Sequence, residues 1–431
     1  MSHYKPYPVY KDSGIEWIGE VPEHWKLTRL KWLTELRTDR RNDSPEGYHY
    51  IGLEDIEPET GKLKPTGNNS RQSEESTVAV FFCGDVLYGK LRPYLRKAII
   101  SGQEGICSTE FLIIRPVSVS PQWLQHWLLT PDVTQQIETG CSGAKMPRTD
   151  WEHVSSIFMP NPDLTEQAII ISALDKQTAR IDALITKKTR FIELLKEKRT
   201  ALITHAVTKG LNPNVKMKDS GVEWIGKMPE HWVLSKLKYI SRALIGLTYA
   251  PEDVVDNGSG ITVLRSTNIQ DGMLDMTDTV QVCKDIGKEL MAQVGDILIC
   301  SRNGSRALIG KNIQLDERSL GCTFGAFMTV LRGKYNDYLY YVLNSTMFDA
   351  NSALYMTSTV NQLTISMIDN MEVPLPPKTE QKIIVLQLRK ALMSLDTLST
   401  KTQRSINLLK ERRSAFITAA VTGQIDLRET I

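Results

Sequence analysis

The sequence predicts an α+β protein: two similar mixed α/β domains separated by two long antiparallel coiled-coil helices, with pseudo-two-fold symmetry. Three observations predict it. First, Asp12-Ser13-Gly14-Ile15-Glu16-Trp17-Ile18-Gly19 with Pro22-Glu23-His24-Trp25 returns as Asp219-Ser220-Gly221-Val222-Glu223-Trp224-Ile225-Gly226 with Pro229-Glu230-His231-Trp232. A match that keeps two tryptophans, a histidine and a proline in register marks a tandem duplication of a unit of about 210 residues. Second, each copy closes with a long stretch free of Pro and Gly, ending at Gly210 and Gly423. Third, apolar residues within both stretches recur every seventh position, the pattern that winds helices together.

The elements of each copy follow in order. Gly84-Asp85-Val86-Leu87-Tyr88 answers Gly295-Asp296-Ile297-Leu298-Ile299, each a turn entering a buried strand. Cys107 through Arg115 answers Cys322 through Arg332, again short and apolar. Ser120-Pro121 opens a short amphipathic helix carrying Trp123 and Trp127, matched by Tyr338, Tyr340 and Tyr341. These aromatics could stack on bases, but their helical spacing favours core packing. Proline-rich punctuation follows (Met159-Pro160-Asn161-Pro162; Val373-Pro374-Leu375-Pro376-Pro377), then Thr165-Glu166-Gln167 and Thr379-Glu380-Gln381, where a Thr or a neighbour caps a helix start. Each helix that begins there runs ~60 Å at ~1.5 Å per residue. The expected organisation is a first domain over 1–162, a central long helix over 163–209, a second domain over 210–376, a distal long helix over 377–424 and a tail over 425–431.

In the first helix Leu174, Ile181, Lys188, Leu195 and Leu202 form the heptad stripe, with Leu184 and Phe191 adjoining it. In the second, Leu388, Leu395, Thr402, Leu409 and Phe416 do so, with Ala391 and Leu398 beside them. Lys188 and Thr402 are the polar members. Either they meet near the centre of an antiparallel pairing and fix its register, or the stripe drifts toward solvent there.

Composition excludes several classes. The chain has 431 residues, a net charge of +2 and six cysteines with no CxxC pair, so bulk charge neither demands nor forbids nucleic acid, and free thiols are expected. There is no apolar run of membrane length and no apolar N-terminal signal, so a cytoplasmic protein without a membrane partner is expected. No P-loop is present: Gly304 and Gly310-Lys311 are separated by five residues rather than the motif's four, and Asn312 stands where Ser or Thr belongs. No catalytic constellation and no metal-ligand cluster is visible. His24 and His231 read as packed or hydrogen-bonded structural histidines.

The order domain, helix, domain, helix places two like domains at opposite ends of a rigid spacer. Duplex DNA suits such an object, because two half-sites on one face lie about one turn apart. The copies share edges and differ in their middles, so the expected target is bipartite, asymmetric and has an unread spacer.

The paired Asp-Ser-Gly-x-Glu-Trp-Ile-Gly and Pro-Glu-His-Trp motifs and the Thr-Glu-Gln helix starts point to one family. So do Leu194-Leu195-Lys196-Glu197-Lys198-Arg199 and its twin Leu408-Leu409-Lys410-Glu411-Arg412-Arg413. Together they closely resemble the specificity subunit of type I restriction-modification systems, over essentially the whole chain. The resemblance implies two target recognition domains, each reading half of a double-stranded DNA site, and helices that set the spacer and dock two modification (methyltransferase) subunits. Two restriction (motor-nuclease) subunits would join them. It also implies a bacterial or archaeal cytoplasmic protein that does no chemistry itself. S-adenosylmethionine, ATP and Mg2+ would be used by the partner subunits.

Base readout needs Arg, Lys, Asn, Gln, Ser or Thr on loops that reach groove edges. Turn-rich regions where the copies diverge supply Lys90, Arg92, Arg96, Ser142, Lys145 and Arg148 in the first copy. In the second they supply Arg265, Asn268, Ser301, Arg302, Asn303, Arg306, Thr359, Asn361 and Gln362. The competing reading is a protein-binding scaffold without affinity for DNA, which would show no salt-sensitive binding to any duplex.

Overall fold

The computed structural model describes residues 4–42, 48–64, 77–143, 145–256, 258–270, 272–348 and 362–428. The chain divides into two compact units, residues 1–189 with 404–431, and residues 190–403. Each unit holds one domain and half of each long helix, Leu164–Lys209 (46 residues) and Lys378–Val421 (44 residues). The expected boundaries set the helices apart from the domains, whereas packing assigns each half-helix to a domain.

In the first unit, Thr34–Arg37, Phe111–Pro116, Val86–Gly89 and Ala98–Ile100 form an antiparallel sheet in that order. A second sheet orders Arg40–Arg41, Val78–Phe81, Gly105–Ser108 and Tyr50–Ile51, with the last pair parallel. The second unit repeats the plan. One sheet orders Arg242–Ile245, Met328–Arg332, Ile297–Cys300 and Asn312–Gln314, and the other Val254–Val255, Val280–Val282, Ile261–Leu264 and Thr323–Phe324. The repeated Gly-Asp turn explains the strand entry. Gly84 and Gly295 adopt φ of 87° and 90°, a conformation that suits glycine. Buried Asp85 accepts from Phe82 N (2.8 Å) and from Arg37 Nε (2.7 Å). Asp296 accepts from Gln293 N and Arg332. The arginine comes from a different strand in each unit, so the requirement is a buried pair at this point rather than a fixed donor position.

The duplicated motif lies where helix ends meet the domain. In the first unit His24 Nε2 is 2.8 Å from Glu166 Oε2, at the start of the first long helix. Trp25, fully buried, packs beside Gly423, just past the end of the second long helix. In the second unit His231 Nε2 is 2.8 Å from Glu380 Oε2, and Trp232 packs beside Gly210, just past the end of the first long helix. The strand after each motif pairs with the strand before a long helix: Lys26–Arg29 with Phe158–Asn161, and Val233–Lys236 with Glu372–Leu375. Gln167 and Gln381 donate to the carbonyls of Pro162 and Pro376, and Asp163 caps the first helix by accepting from Glu166 N. Trp123, Trp127 and Tyr338 are buried in the cores, where Trp123 Nε1 donates to Pro160 O and the Tyr338 hydroxyl, with one proton to give, lies 3.1 Å from Val207 O and 3.0 Å from Pro374 O.

Within each unit the helix segments run antiparallel. In the first, Ile170, Ile171 and Leu174 share a core with Phe416, Ile417 and Val421, and Asp182 pairs with Arg413. In the second, Ile203, Ala206 and Val207 share a core with Ile384, Val385 and Leu388, and Arg199 pairs with Asp396. Leu174, Ile181, Leu195, Leu388, Thr402 and Phe416 are buried, while Lys188, Leu202, Leu395 and Leu409 are half-buried. Thr402 satisfies its hydroxyl on Leu398 O (2.7 Å) within its own helix, so its burial needs no partner across the seam. The adjoining stripe is corrected: Leu184, Phe191 and Leu398 are exposed and Ala391 is half-buried. The adjoining residues lie three positions on, ~60° around each helix from the first stripe, and what packs against the helices covers the one stripe and not the other.

His126, on the helix Pro121–Leu128, is pushed down to about 4 by burial and then by the nearby Arg413 guanidinium; Asp175, 4.0 Å away, does not offset this. A depressed histidine contributes stability that is fully present above its unfolded value near 6.5 and is lost as pH falls toward 4. We expect unfolding free energy to decline below pH ~6.5 by up to ~1.4 kcal/mol per pH unit. His126→Gln should flatten that slope in denaturant titrations between pH 6.5 and 4.5. An unchanged slope would remove His126 as its source.

Candidate nucleic-acid interface

In the first unit three separate stretches converge through backbone hydrogen bonds. Lys90 N donates to Glu110 O (2.9 Å), and Thr149 N donates to Lys90 O (3.0 Å). Leu91 bridges to Arg148, and Arg92 N donates to Pro147 O (2.8 Å). Ser142 and Arg148 exchange both backbone bonds at 2.9 Å, closing a tight loop in which Gly143 takes φ 90° and Lys145 and Met146 are exposed. Lys90, Arg92, Ser142, Lys145 and Arg148 are thus brought together. Arg148 Nη2 donates to Glu110 Oε1 at 2.9 Å.

Arg96 is a correction. Although it lies in the same stretch, its guanidinium turns to Glu59 and to Leu129 O. There it borders a cavity of about 230 Å³ with Lys62, Asp182, Lys410 and Arg413. Arg92 and Arg96 flank the turn Pro93–Leu95 in left-handed conformation, φ 53° and 46°. The chain reverses there, which sends the two arginines to different surroundings.

The second unit repeats the convergence. Ser301 N and Arg302 N donate to Phe327 O (3.0 and 3.1 Å), Leu363 N donates to Ser301 O (2.7 Å), and Arg302 bridges to Gln362. Asn303 Nδ2 reaches Ser266 Oγ at 3.3 Å, and its Oδ1 accepts from Ser305 N. The Arg302 guanidinium lies over the Phe327 ring, 5.2 Å from its centroid. Arg306 is exposed nearby on the same loop. Arg265 is part-buried, with Nη2 on Asp278 Oδ2 at 3.1 Å. Thr359 and Asn361 lie outside the described residues.

Two further candidates are corrected. Asn268 is 1% exposed: its Oδ1 accepts from Arg265 N, and its Nδ2 donates to Asp275 O and Asp278 O. With its amide used to close its own loop, it has nothing to offer a base. Ser301 is buried and donates its hydroxyl to Phe327 O. Burial also raises the thiols of Cys300 and, helped by Glu138 and Asp150, of Cys141, so both stay neutral beside these loops. Among the described residues no group of His, Cys, Asp and Glu is placed to hold a metal, and no helix is long and apolar enough to cross a membrane.

Two residues of the site are not evident from sequence, Glu110 and Phe327. They occupy equivalent positions, and each contacts an arginine, Arg148 and Arg302 in turn. The one signal is a charged residue in one copy answering an exposed phenylalanine in the other, within otherwise apolar runs.

Residues 229–408 match the family described as Type I restriction modification DNA specificity domain. The EcoKI specificity subunit of Escherichia coli (strain K12) is 30% identical over 207 residues, which is 46% of this chain and 44% of that protein. The StySPI specificity subunit of Salmonella potsdam is 29% identical over 207 residues, again 44% of its own length. These matches therefore span less than half of either relative. The MjaVIII specificity subunit of Methanocaldococcus jannaschii is 24% identical over 444 residues, covering 99% of this chain and 98% of that one. A chain from a solved type I R-M system, described for its complex assembly and conformational transition, shares the fold. Its TM-score is 0.70 at 21% identity, covering 93% of this chain and 98% of that one.

Replacing Asn268 by Ala removes two amide donors and an acceptor from a buried loop and should cost about 1–3 kcal/mol. A lowered melting temperature with unchanged sequence preference on DNA is expected. A changed preference without destabilisation would restore Asn268 as a base contact.

Proposed function

We propose that the chain, whose residues 229–408 match the type I restriction modification DNA specificity domain, is a member of the specificity subunit family and the DNA-reading, non-catalytic subunit of such a complex. Each unit reads one half of an asymmetric bipartite duplex site. One observation carries this reading: both units build the same three-stretch backbone scaffold yet hang different polar side chains on it. A purely structural loop junction has no reason to keep its hydrogen bonds while exchanging Arg148 for Gln362 and Glu110 for Phe327. A reading surface has that reason, since half-sites of different sequence need different donors on one frame.

The long helices supply the second part of the proposal. Ile383, Leu386 and Met393 are exposed on the second helix, the latter two at 70% and 69%, and their spacing puts them on one side of it. Leu184 and Leu408 are exposed in the first unit. Apolar residues gathered on a helix face are suited to a protein partner, and two modification subunits are the partners proposed, with two restriction subunits completing the assembly. The chemistry lies in those subunits, with S-adenosylmethionine for methylation and ATP with Mg2+ for restriction. The complex works on DNA in the cytoplasm.

The test is equilibrium binding of the chain, assembled with its modification subunits, to a randomised duplex library, alongside genome-wide mapping of methylated adenine. One bipartite motif should emerge from both. Affinity should fall linearly on a log–log salt plot, by about a thousandfold or more between 50 and 200 mM if some six phosphates are contacted. Salt-insensitive binding with no enriched motif would leave a protein scaffold as the better account. Leu386→Glu with Met393→Glu should weaken capture of the modification subunits at least ~10-fold. Unaltered capture would move the docking surface elsewhere.

A further inference from the structure

We infer that each unit reads a guanine with a single arginine, Arg148 in the first and Arg302 in the second. Glu110 and Phe327 are the positioning residues that hold these side chains ready. The inference rests on the DNA-reading role proposed above and assigns its specificity-determining residues.

The backbone bonds make the two sites comparable position by position. Thr149 N to Lys90 O corresponds to Leu363 N to Ser301 O, and Lys90 N to Glu110 O corresponds to Ser301 N to Phe327 O. The Leu91–Arg148 bridge corresponds to the Arg302–Gln362 bridge. Three positions are thereby equivalent: 91 with 302, 148 with 362, and 110 with 327. At the first two, arginine has changed sides. The first unit carries Leu91 and Arg148; the second carries Arg302 and Gln362. At the third position the supporting group has changed to match. Glu110 faces Arg148 with a carboxylate at 2.9 Å, and Phe327 lies under Arg302 with its ring face. Each junction thus holds one bridge-pair arginine and one partner able to orient it.

The chemistry of the partners suits preorganisation for groove readout. Phe327 is 59% exposed, a poor place for a phenylalanine unless something covers it. A cation–π contact with Phe327 uses none of the N–H groups of Arg302, so its guanidinium fork stays available for guanine O6 and N7. Glu110 holds Arg148 through Nη2 alone, and its other oxygen, Oε2, is buried without a hydrogen-bond partner among the described residues. A one-edge anchor on an exposed side chain leaves the other N–H groups of Arg148 available to a ligand. A long flexible side chain that is already placed loses less entropy when it binds, so removing either partner should blunt discrimination without abolishing it.

The experiment uses the full chain assembled with its modification subunits. It measures competitive binding to the selected bipartite duplex and to duplexes altered one base pair at a time, with adenine-methylation mapping as a second readout. The wild-type complex must first select one bipartite site; if it selects none, the DNA-reading role itself fails. Given that site, Arg148→Ala should collapse a discrimination of about 5- to 150-fold at one guanine of one half-site toward parity, with the other half-site unchanged. Arg302→Ala should do the same in the opposite half. Glu110→Gln and Phe327→Leu should reduce discrimination at those same base pairs and at no others, and Arg148→Lys should fail to restore it. If Arg148→Ala prevents assembly, Arg148→Lys and Glu110→Gln decide instead, and their effects must map to one common base pair. The inference is overturned if the arginine variants weaken all duplexes alike while lowering the salt slope by about one, the mark of a phosphate contact. It is also overturned if the selected motif stays intact.

Discussion

The joint at which the Pro-Glu-His-Trp motif meets the ends of both long helices is the constraint that positions the helices in each unit. His24 to Glu166 and His231 to Glu380, both at 2.8 Å, fix where a helix leaves its domain. The adjacent tryptophan fixes where the other helix arrives. A Cβ on Gly423 would sit 2.3 Å from Pro22 Cδ and 3.1 Å from the Trp25 ring, and one on Gly210 would sit 3.3 Å from Trp232. Both glycines take φ near 75–78°, so the helix must end there by the left-handed turn that glycine allows. One motif therefore sets two helix ends in each unit. In the first unit the joint is closed by the two ends of the chain. The Tyr7 hydroxyl donates to Glu166 Oε1, Arg428 lies over the Tyr7 ring, and Asp426 N donates to Lys5 O. In the second, continuous chain through 210–216 does the same work, with Glu230 N donating to Lys216 O.

This accounts for the pattern of likeness between the copies. Residues at the joint meet a geometry with almost no slack, and there the copies are nearly identical. The sheets tolerate exchange of equivalent solutions, as when Arg37 in one unit and Arg332 in the other pair with equivalent buried aspartates, Asp85 and Asp296, from different strands. At the convergent loops only the backbone bonds are kept.

The heptad stripe, the duplicated motif, the short buried strands and the proline punctuation are legible in the sequence because each expresses a local rule: periodicity, turn chemistry or an N–H that proline lacks. The outward turn of Leu184, Phe191 and Leu398 is not, because a stripe's width depends on what lies against it. Asn268 resembles a base reader since asparagine in a turn-rich loop looks the same whether its amide points out or closes the loop. Only the carbonyls of Asp275 and Asp278, brought back by the chain, decide between them. Arg96 groups with Arg92 by proximity in sequence, and two left-handed residues separate them in space. Glu110 and Phe327 escape a reading of the sequence because their importance lies in a relation between distant segments.

Near-neutral overall charge bears on how such a surface would work. With a net charge of +2, the chain has little general attraction for a polyanion, and many of its cations are committed to internal pairs. Arg96, Arg265 and Arg413 are among them, facing Glu59, Asp278 and Asp182. On the proposed DNA-reading role, bulk charge would add little to association, and discrimination would rest on a small number of placed side chains. A protein that must ignore most of a genome gains from that balance, because the relevant quantity is the ratio of specific to non-specific affinity rather than either alone. Preorganised arginines on a rigid frame improve that ratio, whereas added surface charge would raise both affinities together.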